Sequence, residues 1–339
     1  MLHIALGLDA KYVMQSGVTI TSICENNKDL DLFFHIATLG EGSDSTVFSP
    51  LTDILEHYNQ QGEIIPIVDK YFEGLPELNY ISKATYLRLL LPKVLKEDVG
   101  QVLYLDSDII VMGSLRYFVE HPLSMEYGCG AAIDVNGCTI KHHNRLGISV
   151  PVTYFNAGVL QMNLVYWRNN DISSKTIQKI AENQYWFMDQ DAINVVLNGK
   201  ISRVPYKYNL QTSHYLYPPT EQELDIKYHQ ELSDAMNNPV IIHYASYRKP
   251  WQEDCPRKEY WEEYKGKTIW AKTQPWPSKP NDDTTQEWIK KARSLNIDLV
   301  NMYSPRFYKF ICKIARSGKP KNWFGNIAGR IIMYALKKY

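Results

Sequence analysis

Two carboxylates one residue apart follow a strongly apolar run, Val102-Leu-Tyr-Leu-Asp106-Ser-Asp108-Ile-Ile-Val111. Because an extended backbone turns alternate side chains to the same face, Asp106 and Asp108 can aim at one point. We expect that point to lie at the carboxyl end of a strand, where open α/β sheets bind their ligands. Two hard oxygen donors there suit Mg²⁺ or Mn²⁺ held against a phosphorylated substrate. Without a cation, burying both carboxylates in an apolar stretch would be unfavourable.

The Asp-x-Asp pattern occurs at three places in the chain, whereas about one copy is expected by chance. Context therefore has to separate a functional copy from the others. We interpret Asp29 and Asp31 as a solvated turn. Asp189 and Asp191 open a predicted helix, where acidic residues ordinarily cap the helix end or oppose its dipole. That explanation leaves Gln190, between them, unaccounted for.

Further polar side chains stand beside apolar runs or small residues. His243 ends an apolar run and is either a third ligand for Mn²⁺ or a structural histidine. Lys249 is either a point charge for a diphosphate or a surface lysine. Asn156 could hydrogen-bond a ligand that Gly158 allows to come close, or both could belong to a tight turn. Arg88, on a predicted helix, is either a phosphate-facing cation or the partner of an acidic residue.

The composition is that of a soluble globular protein, with 45% hydrophobic and 22% charged residues in a chain of 339. This length allows one large α/β domain or two modest ones. The five cysteines (positions 24, 129, 138, 255 and 312) lack metal-ligand spacing, so we expect free thiols in a reducing compartment. We see neither a signal-peptide pattern nor an apolar run long enough to span a bilayer. We therefore expect a cytoplasmic protein at the cytosolic face of a membrane, with no nucleic-acid partner.

Short apolar runs alternate with helical patterns along most of the chain. This alternation predicts βαβ units and an α/β fold with a largely parallel sheet. The predicted strands are His3–Leu8, Asp31–Thr38, Glu63–Val68, Gln101–Leu105, Gly128–Asp134, Gly158–Asn163 and Val240–Tyr244. The predicted helices are Gly17–Asn26, Phe48–Tyr58, Ala84–Lys96, Asp171–Asn183 and Asp189–Leu197.

The carboxy-terminal part differs from the rest in composition. A proline-rich linker at 273–285 precedes a region, 286–339, that we expect to be helical. From residue 301 onward there are nine Lys or Arg and no Asp or Glu, which leaves 28 basic against 37 acidic residues elsewhere. Apolar aromatics beside these basic residues, as in the predicted helix Trp323–Lys338, favour attachment to an anionic membrane surface. The alternative is a helix that packs on the preceding domain with a solvated basic face.

Six motifs, in order, resemble those of the retaining glycosyltransferases of family 8, most closely the bacterial galactosyl- and glucosyltransferases that build lipopolysaccharide or lipo-oligosaccharide. The motifs are Ala5-Leu-Gly-Leu-Asp9, Ile81-Ser-Lys-Ala-Thr-Tyr-Leu-Arg88, Val102-Leu-Tyr-Leu-Asp106-Ser-Asp108, Tyr154-Phe-Asn-Ala-Gly-Val-Leu160, Asp189-Gln-Asp191 and His243-Tyr-x-x-x-x-Lys249-Pro-Trp251. The resemblance implies a GT-A type, Rossmann-like fold over residues 1–272, with the helical basic region as an extension. It also implies Mn²⁺ (or Mg²⁺), UDP-galactose or UDP-glucose as the donor, and a saccharide or lipid-linked saccharide as the acceptor.

The resemblance also implies a role for each matched residue. Asp106, Asp108 and His243 would hold the metal, and Lys249 would contact the diphosphate. Gly7, Asp9 and Tyr12 would line the uridine pocket, with Tyr12 stacking on uracil. Arg88 and Asn156 would surround the donor sugar, and Ser107 and Ala157 are the other donor-binding positions. Asp189 and Gln190 would lie at the donor sugar and Asp134 near the acceptor, and these three form the implied catalytic set. The chain departs from the family pattern at Lys11, which is often Asn, and at Ser246, which is typically Gly.

Two other functions remain open from the sequence. A phosphatase of the haloacid dehalogenase type also ends a strand in Asp-x-Asp, but Ile109 stands where Thr or Val commonly follows, and no downstream Gly-Asp-x-x-x-Asp occurs. A protein that binds a sugar nucleotide or a glycan without turnover would share much of the implied site. We favour a transferase in which the acceptor attacks the face that UDP leaves, because Gln190 would be a poor nucleophile for a double displacement.

Overall fold

The computed structural model describes residues 1–40, 45–76, 82–135, 140–148, 153–216, 219, 228–245, 248–251 and 255–273. All of them belong to the unit Met1–Ser278. The predicted linker (apart from residue 273) and the predicted basic helices lie outside the described residues, as does Ser246, so those interpretations stay predictions. No helix in the described part is long and apolar enough to cross a membrane.

A mostly parallel sheet forms the centre of the described unit. Its strands are β1 (Leu2–Leu8), β2 (Leu32–Leu39), β3 (Gln61–Ile67), β4 (Gln101–Leu105), β6 (Cys129–Ala131), β7 (Val159–Asn163) and β8 (Ile201–Arg203), in the order β3-β2-β1-β4-β7-β6-β8. Within this order β7 alone runs antiparallel to its neighbours. A second, smaller sheet joins β5 (Ile109–Val111), β10 (Ile241–His243) and β9 (Leu210–Gln211) in that order.

Helices cover both faces of the large sheet, because its central strands are apolar on both sides. In β1, Ile4 and Leu6 belong to the core beneath α1 (Val13–Asn26) and α2 (Ser49–His57). Ala5 belongs to the opposite core, beneath α3 (Leu87–Val94). The other helices are α4 (Arg116–Glu120), α5 (Ile140–Leu146), α6 (Leu164–Asn169), α7 (Ile172–Glu182), α8 (Met188–Val196), α9 (Ser213–Leu216), α10 (His229–Asn237) and α11 (Lys258–Lys265).

The predicted α/β class with a mostly parallel sheet is confirmed, and every predicted element before residue 273 exists. The strand Gln101–Leu105 has its predicted ends, and the others have shifted ends. The largest shift is in the first helix, which begins at Val13 and not at the predicted Gly17. The predicted helix Ala84–Lys96 begins with a 3-10 turn at Lys83–Tyr86 and ends as an α-helix at Val94. The predicted strand Gly128–Asp134 is paired only at Cys129–Ala131. The short strands β5, β8 and β9 were not predicted, since runs of two or three residues carry too little periodicity.

Two of the described cysteines, Cys24 and Cys129, are buried free thiols, as the scattered spacing predicted. Burial raises the pKa of Cys24 to about 12. Because the thiolate is the reactive form, this thiol is inert in the folded chain.

Candidate active site and metal centre

The ends of β4, β5 and β10 bring Asp106, Asp108 and His243 together. Asp106 follows β4, and Asp108 precedes β5, which pairs antiparallel with β10 so that His243 lies opposite Ile109. The His243 Nε2 atom lies 3.7 Å from Asp106 Oδ2 and 3.4 Å from Asp108 Oδ1. One ligand atom from each residue fits within a separation of 4.8 Å. Asp106 and Asp108 therefore do aim at one point, as the sequence predicted, but residues 107 and 108 lie in a turn between β4 and β5 and not in the extended backbone that was expected.

One oxygen of each carboxylate accepts a hydrogen bond from a basic side chain, and the other oxygen faces the histidine. Arg88 Nη2 donates to Asp106 Oδ1 at 2.7 Å, and Lys249 Nζ donates to Asp108 Oδ2 at 2.5 Å. The atoms left facing one another are Asp106 Oδ2, Asp108 Oδ1 and His243 Nε2. One nitrogen and two carboxylate oxygens are a donor set that fits Mn²⁺ and, less well, Mg²⁺.

The electrostatics keep the Asp108 carboxylate ionised. Burial alone would raise the pKa of Asp108, but Lys249 and His243 hold it well below its usual range. Burial alone would lower the pKa of Lys249, but Asp108 raises it, so the ammonium keeps its charge. Burial also holds the pKa of Tyr104 far above its ordinary value, and its hydroxyl donates to Asp106 Oδ1 at 2.8 Å. A carboxylate that binds a metal must be deprotonated, and the contacts of Asp108 meet that requirement.

Arg88 is the partner of acidic residues, the second of its two predicted roles. Its guanidinium is buried between two carboxylates, with Nε 3.0 Å from Asp189 Oδ2 and Nη2 bonded to Asp106. Its Nη1 donates to the carbonyl of Ala157 at 2.5 Å. Burial raises the pKa of Asp189, and Arg88 and the Thr85 hydroxyl oppose that rise. Arg88 thus links the end of β4, through Asp106, to the start of α8, through Asp189.

A cluster of amides and a carboxylate is connected to Arg88 through the backbone of Ala157. Asn156 Nδ2 donates to Asp134 Oδ2 and to Gln190 Oε1, both at 3.1 Å. Gln190 Oε1 also accepts from the backbone of Ala157 at 3.0 Å. Gln190 Nε2 donates to Asp134 Oδ2 at 3.0 Å and to the Tyr154 hydroxyl at 3.1 Å. Three residues that the resemblance placed at the donor sugar or near the acceptor, Asn156, Gln190 and Asp134, are therefore joined in one network.

The positions implied for the uridine pocket lie at the end of β1 (Gly7) and in the 3-10 turn that follows it (Asp9 and Tyr12). Asp9 Oδ1 accepts from the backbone of Lys11 at 2.9 Å, so it caps the 3-10 turn that precedes α1. A Cβ at Gly7 would come within 3.0 Å of Leu87 Cβ, so this position suits a residue without a side chain. The Tyr12 ring packs edge-on against Trp251, with centroids 6.3 Å apart. The uridine-binding role of these positions stays a prediction.

Ser107 points away from its two acidic neighbours. Its hydroxyl accepts from Ser16 Oγ at 2.8 Å, and its carbonyl accepts from Thr19 Oγ1 at 3.1 Å. Both partners lie on α1, which anchors the strand end that presents the carboxylates. The Asp29 copy of the pattern lies in a turn with its side chain exposed and paired with Arg116, so that interpretation is confirmed.

Asp191 is fully buried and fixes the local structure. The sequence predicted only an ordinary acidic residue at a helix start. Its Oδ2 accepts from the backbone of Trp186 and Phe187 at 2.9 and 3.1 Å. His142 Nε2 and Arg145 Nη2 contact its carboxylate at 3.0 and 2.7 Å, and the Tyr154 hydroxyl donates at 2.6 Å. Asp191 therefore fixes the turn that delivers Asp189 and Gln190. No local pattern signals this, because the side-chain partners His142, Arg145 and Tyr154 come from distant segments.

Replacing Asp191 by asparagine should destabilise the fold in a pH-dependent way. Burial alone would raise the pKa of Asp191, but His142, Tyr154 and Arg145 lower it. A carboxyl group with a lower pKa in the folded state stabilises the fold above its unfolded value of about 3.9 and loses that effect as the pH falls through its folded value. At neutral pH we expect Asp191→Asn to lower the free energy of unfolding by about 3 kcal/mol.

Denaturant unfolding of the wild type and of Asp191→Asn over a pH series measures this effect. The difference should be largest near neutrality and should shrink in acid. Asp29→Asn, which removes an exposed carboxylate, is the matched control and should change nothing measurable. A difference for Asp191→Asn that does not depend on pH would show that the carboxylate charge is not its source.

Comparison with known proteins agrees with this geometry. The model of glycosyl transferase family 8 matches residues 3–255. The chain is 29% identical over 258 residues to a lipopolysaccharide 1,2-glucosyltransferase of Escherichia coli, covering 74% of this chain and 73% of that one. It is 27% identical over 286 residues to a lipopolysaccharide 1,3-galactosyltransferase of Salmonella typhimurium, covering 79% of each.

Among solved structures, galactosyltransferase LgtC in complex with donor and acceptor sugar analogs superposes with a TM-score of 0.70 at 25% identity, covering 86% of this chain and all of that one. A mostly parallel sheet flanked by helices, with this site at its strand ends, is the fold of a GT-A type glycosyltransferase. The chain belongs to glycosyltransferase family 8.

Proposed function

We propose that this enzyme transfers galactose or glucose from a UDP-sugar to a hydroxyl of a saccharide acceptor, with retention of configuration, in the synthesis of lipopolysaccharide or another cell-surface glycan. The convergence of Asp106 Oδ2, Asp108 Oδ1 and His243 Nε2 beside the Lys249 ammonium is the observation that carries the proposal. The activities named for the similar lipopolysaccharide glucosyl- and galactosyltransferases support the hexose and the acceptor class.

Departure of UDP requires stabilisation of a growing negative charge on its diphosphate. A Mn²⁺ ion bound by the three ligand atoms would supply Lewis-acid stabilisation of that charge. Lys249 is positioned to add to it, because its ammonium is charged, half-buried and held beside the ligand carboxylate of Asp108. Fixed charge of this kind needs no reorganisation when the bond breaks, which is why it is effective in catalysis.

The hydrogen bonds around Gln190 favour displacement on one face of the sugar. Its amide oxygen accepts from Asn156 and from the backbone of Ala157, so its lone pairs are already engaged. The nearby carboxylate of Asp189 is paired with Arg88. Neither group is well suited to form a covalent glycosyl intermediate. We infer that the leaving phosphate helps to deprotonate the acceptor hydroxyl. A trapped sugar adduct on Gln190 or Asp189, detected by mass spectrometry, would contradict this mechanism.

The alternatives from the sequence have less support. A haloacid dehalogenase phosphatase needs the first Asp as a free nucleophile, whereas Asp106 is bonded to Arg88 and Tyr104. A binding protein without turnover could also hold a diphosphate with Lys249, so what favours turnover is the activity named for the similar transferases. The functions differ in product: a phosphatase releases inorganic phosphate, a binding protein releases nothing, and a transferase releases UDP.

Transfer to lipopolysaccharide-core oligosaccharides tests the proposal. We expect a product that contains one added hexose and whose anomeric proton coupling in NMR shows the same configuration as the donor. A product with the opposite configuration would contradict retention. Transfer from neither UDP-galactose nor UDP-glucose, in the presence of Mn²⁺, would contradict the proposed donor.

We further propose that the enzyme is cytoplasmic and attaches to the anionic cytosolic face of a membrane through residues 286–339, where the basic residues are concentrated. A lipid-linked acceptor would then lie at the same surface as the enzyme. Sedimentation with anionic vesicles compares the full chain with one ending at Asp283. We expect the full chain to sediment and the shorter one to stay in solution, with salt weakening the binding. Equal sedimentation of both chains would contradict the proposal.

A further inference from the structure

A buried hydrogen-bonded chain runs from the metal-facing imidazole into the protein. His243 Nδ1 lies 3.0 Å from Asn209 Oδ1, and Asn209 Nδ2 donates to Asn156 Oδ1 at 2.9 Å. The same Asn156 oxygen accepts from the backbone of Gly158 at 2.9 Å. The side chains of His243, Asn209 and Asn156 are all buried. Water is therefore a poor substitute for any partner in this chain.

The donor and the acceptor in each of these hydrogen bonds can be assigned from one group that can only donate. The backbone N–H of Gly158 can only donate, so the Asn156 atom facing it is the amide oxygen. The Asn156 amino group then meets the Asp134 carboxylate, an acceptor, at 3.1 Å, which agrees with this orientation. The Asn209 atom that meets the Asn156 oxygen must be the amino group. Its oxygen is thereby turned to His243, and Nδ1 of the imidazole must carry the proton.

We propose that Asn209 is a positioning residue for the metal site, which holds the His243 proton on Nδ1 and leaves the Nε2 lone pair toward Asp106 and Asp108. The inference rests on the proposed function, because it takes these ligand atoms to bind a divalent cation. A partner on the other ring nitrogen fixes the tautomer and the ring plane of a ligand histidine. Since this partner is an amide, it adds no charge to a site that already has two carboxylates.

The secondary structure holds Asn209 in this place. Asn209 directly precedes β9, which pairs parallel with β10 so that Leu210 lies opposite Ile242. The backbone N–H of Thr212 also donates to the carbonyl of His243 at 2.9 Å. The amide and the imidazole are therefore fixed by backbone pairing and need no further contact to meet.

Binding of Mn²⁺ alone to the purified full chain, followed by electron paramagnetic resonance, tests the proposal. We expect Asn209→Leu to weaken Mn²⁺ affinity by about 10- to 100-fold. Asn209→Asp keeps an acceptor for the Nδ1 proton, but its carboxylate cannot donate to Asn156 Oδ1. It should therefore bind Mn²⁺ at least a few-fold more tightly than Asn209→Leu and less tightly than the wild type. Asn27→Leu is the matched control, because the Asn27 side chain is equally buried but bonds to the backbone of Ile23, Gly113 and Leu115 and not to His243. It should bind Mn²⁺ as the wild type does.

A second measurement separates positioning from a general loss of stability. In the metal-free wild type, ¹⁵N NMR of labelled histidine at mildly alkaline pH should show His243 protonated on Nδ1, with its signals assigned by their loss in His243→Ala. This pattern should disappear in Asn209→Leu and persist in Asn27→Leu.

The outcomes distinguish the two proposals. Unchanged Mn²⁺ affinity in Asn209→Leu, equal loss in Asn209→Leu and Asn209→Asp, or a wild-type His243 protonated on Nε2 would each overturn the role of Asn209. A wild type that binds no Mn²⁺ would instead contradict the proposed function, and the NMR result would still decide the role of Asn209. If Asn209→Leu does not fold, the wild-type tautomer decides.

Discussion

Asp108→Asn should lower the rate of Mn²⁺-dependent UDP release by about a thousand-fold, a loss of the size seen when one charge-stabilising group is removed from an active site. The substitution keeps the shape of the side chain but removes the negative charge from a ligand atom that lies 3.4 Å from His243 Nε2. It also deprives Lys249 of the carboxylate to which it donates at 2.5 Å. Metal binding and the orientation of the lysine should therefore both be impaired.

Steady-state UDP release measures this effect, with circular dichroism to check the fold. Asp29→Asn is the matched control, since Asp29 belongs to another copy of the same pattern but lies in an exposed turn. It should keep wild-type activity. A rate for Asp108→Asn within a few-fold of the wild type would rule out Asp108 as a ligand required for turnover.

Gly158→Ala should be nearly as damaging, although alanine adds only one methyl group. A Cβ at this position would lie 2.0 Å from His243 Cε1 and 2.7 Å from both ring nitrogens. The imidazole has to move, and it has no room because it is buried and bonded to Asn209. We expect a loss of activity of about a hundred-fold, with a decrease in stability of about 1–3 kcal/mol from overpacking.

Gly100→Ala is the control for Gly158→Ala, because a Cβ there would meet Val165 Cγ2 at an ordinary 3.7 Å. It should keep activity and stability. Saturating Mn²⁺ should restore part of the activity of Gly158→Ala if the displaced ligand weakens metal binding. Wild-type activity in Gly158→Ala would show that the imidazole position in the metal-free chain is not the one used in catalysis.

The candidate metal centre could be predicted because its signals are local: an apolar run ends at Asp106, and another ends at His243. The predicted cause, an extended backbone through Asp106 and Asp108, was wrong, because a turn at residues 107 and 108 brings the two carboxylates together. The sequence could not choose between the two roles of Arg88, since both suit a buried guanidinium. That choice depends on Asp189 reaching the same place from a different helix.

Contacts between distant segments could not be predicted from the sequence. Asn209 stands in no motif, and its place beside His243 comes from the pairing of β9 with β10. Asp191 resembles an ordinary helix-start acid, whereas its partner His142 lies 49 residues away in the chain. The reversed direction of β7 was also hidden, because an apolar run is the same in both orientations.

Mn²⁺-dependent release of UDP from UDP-galactose and UDP-glucose, by chelator-treated enzyme, tests the central claim most directly. We expect no release without metal, restoration by Mn²⁺, weaker restoration by Mg²⁺, and a preference for one of the two donors. The His243→Ala variant should be inactive under the same conditions. Release of UDP at an undiminished rate after complete chelation would contradict the account, as would wild-type activity of His243→Ala.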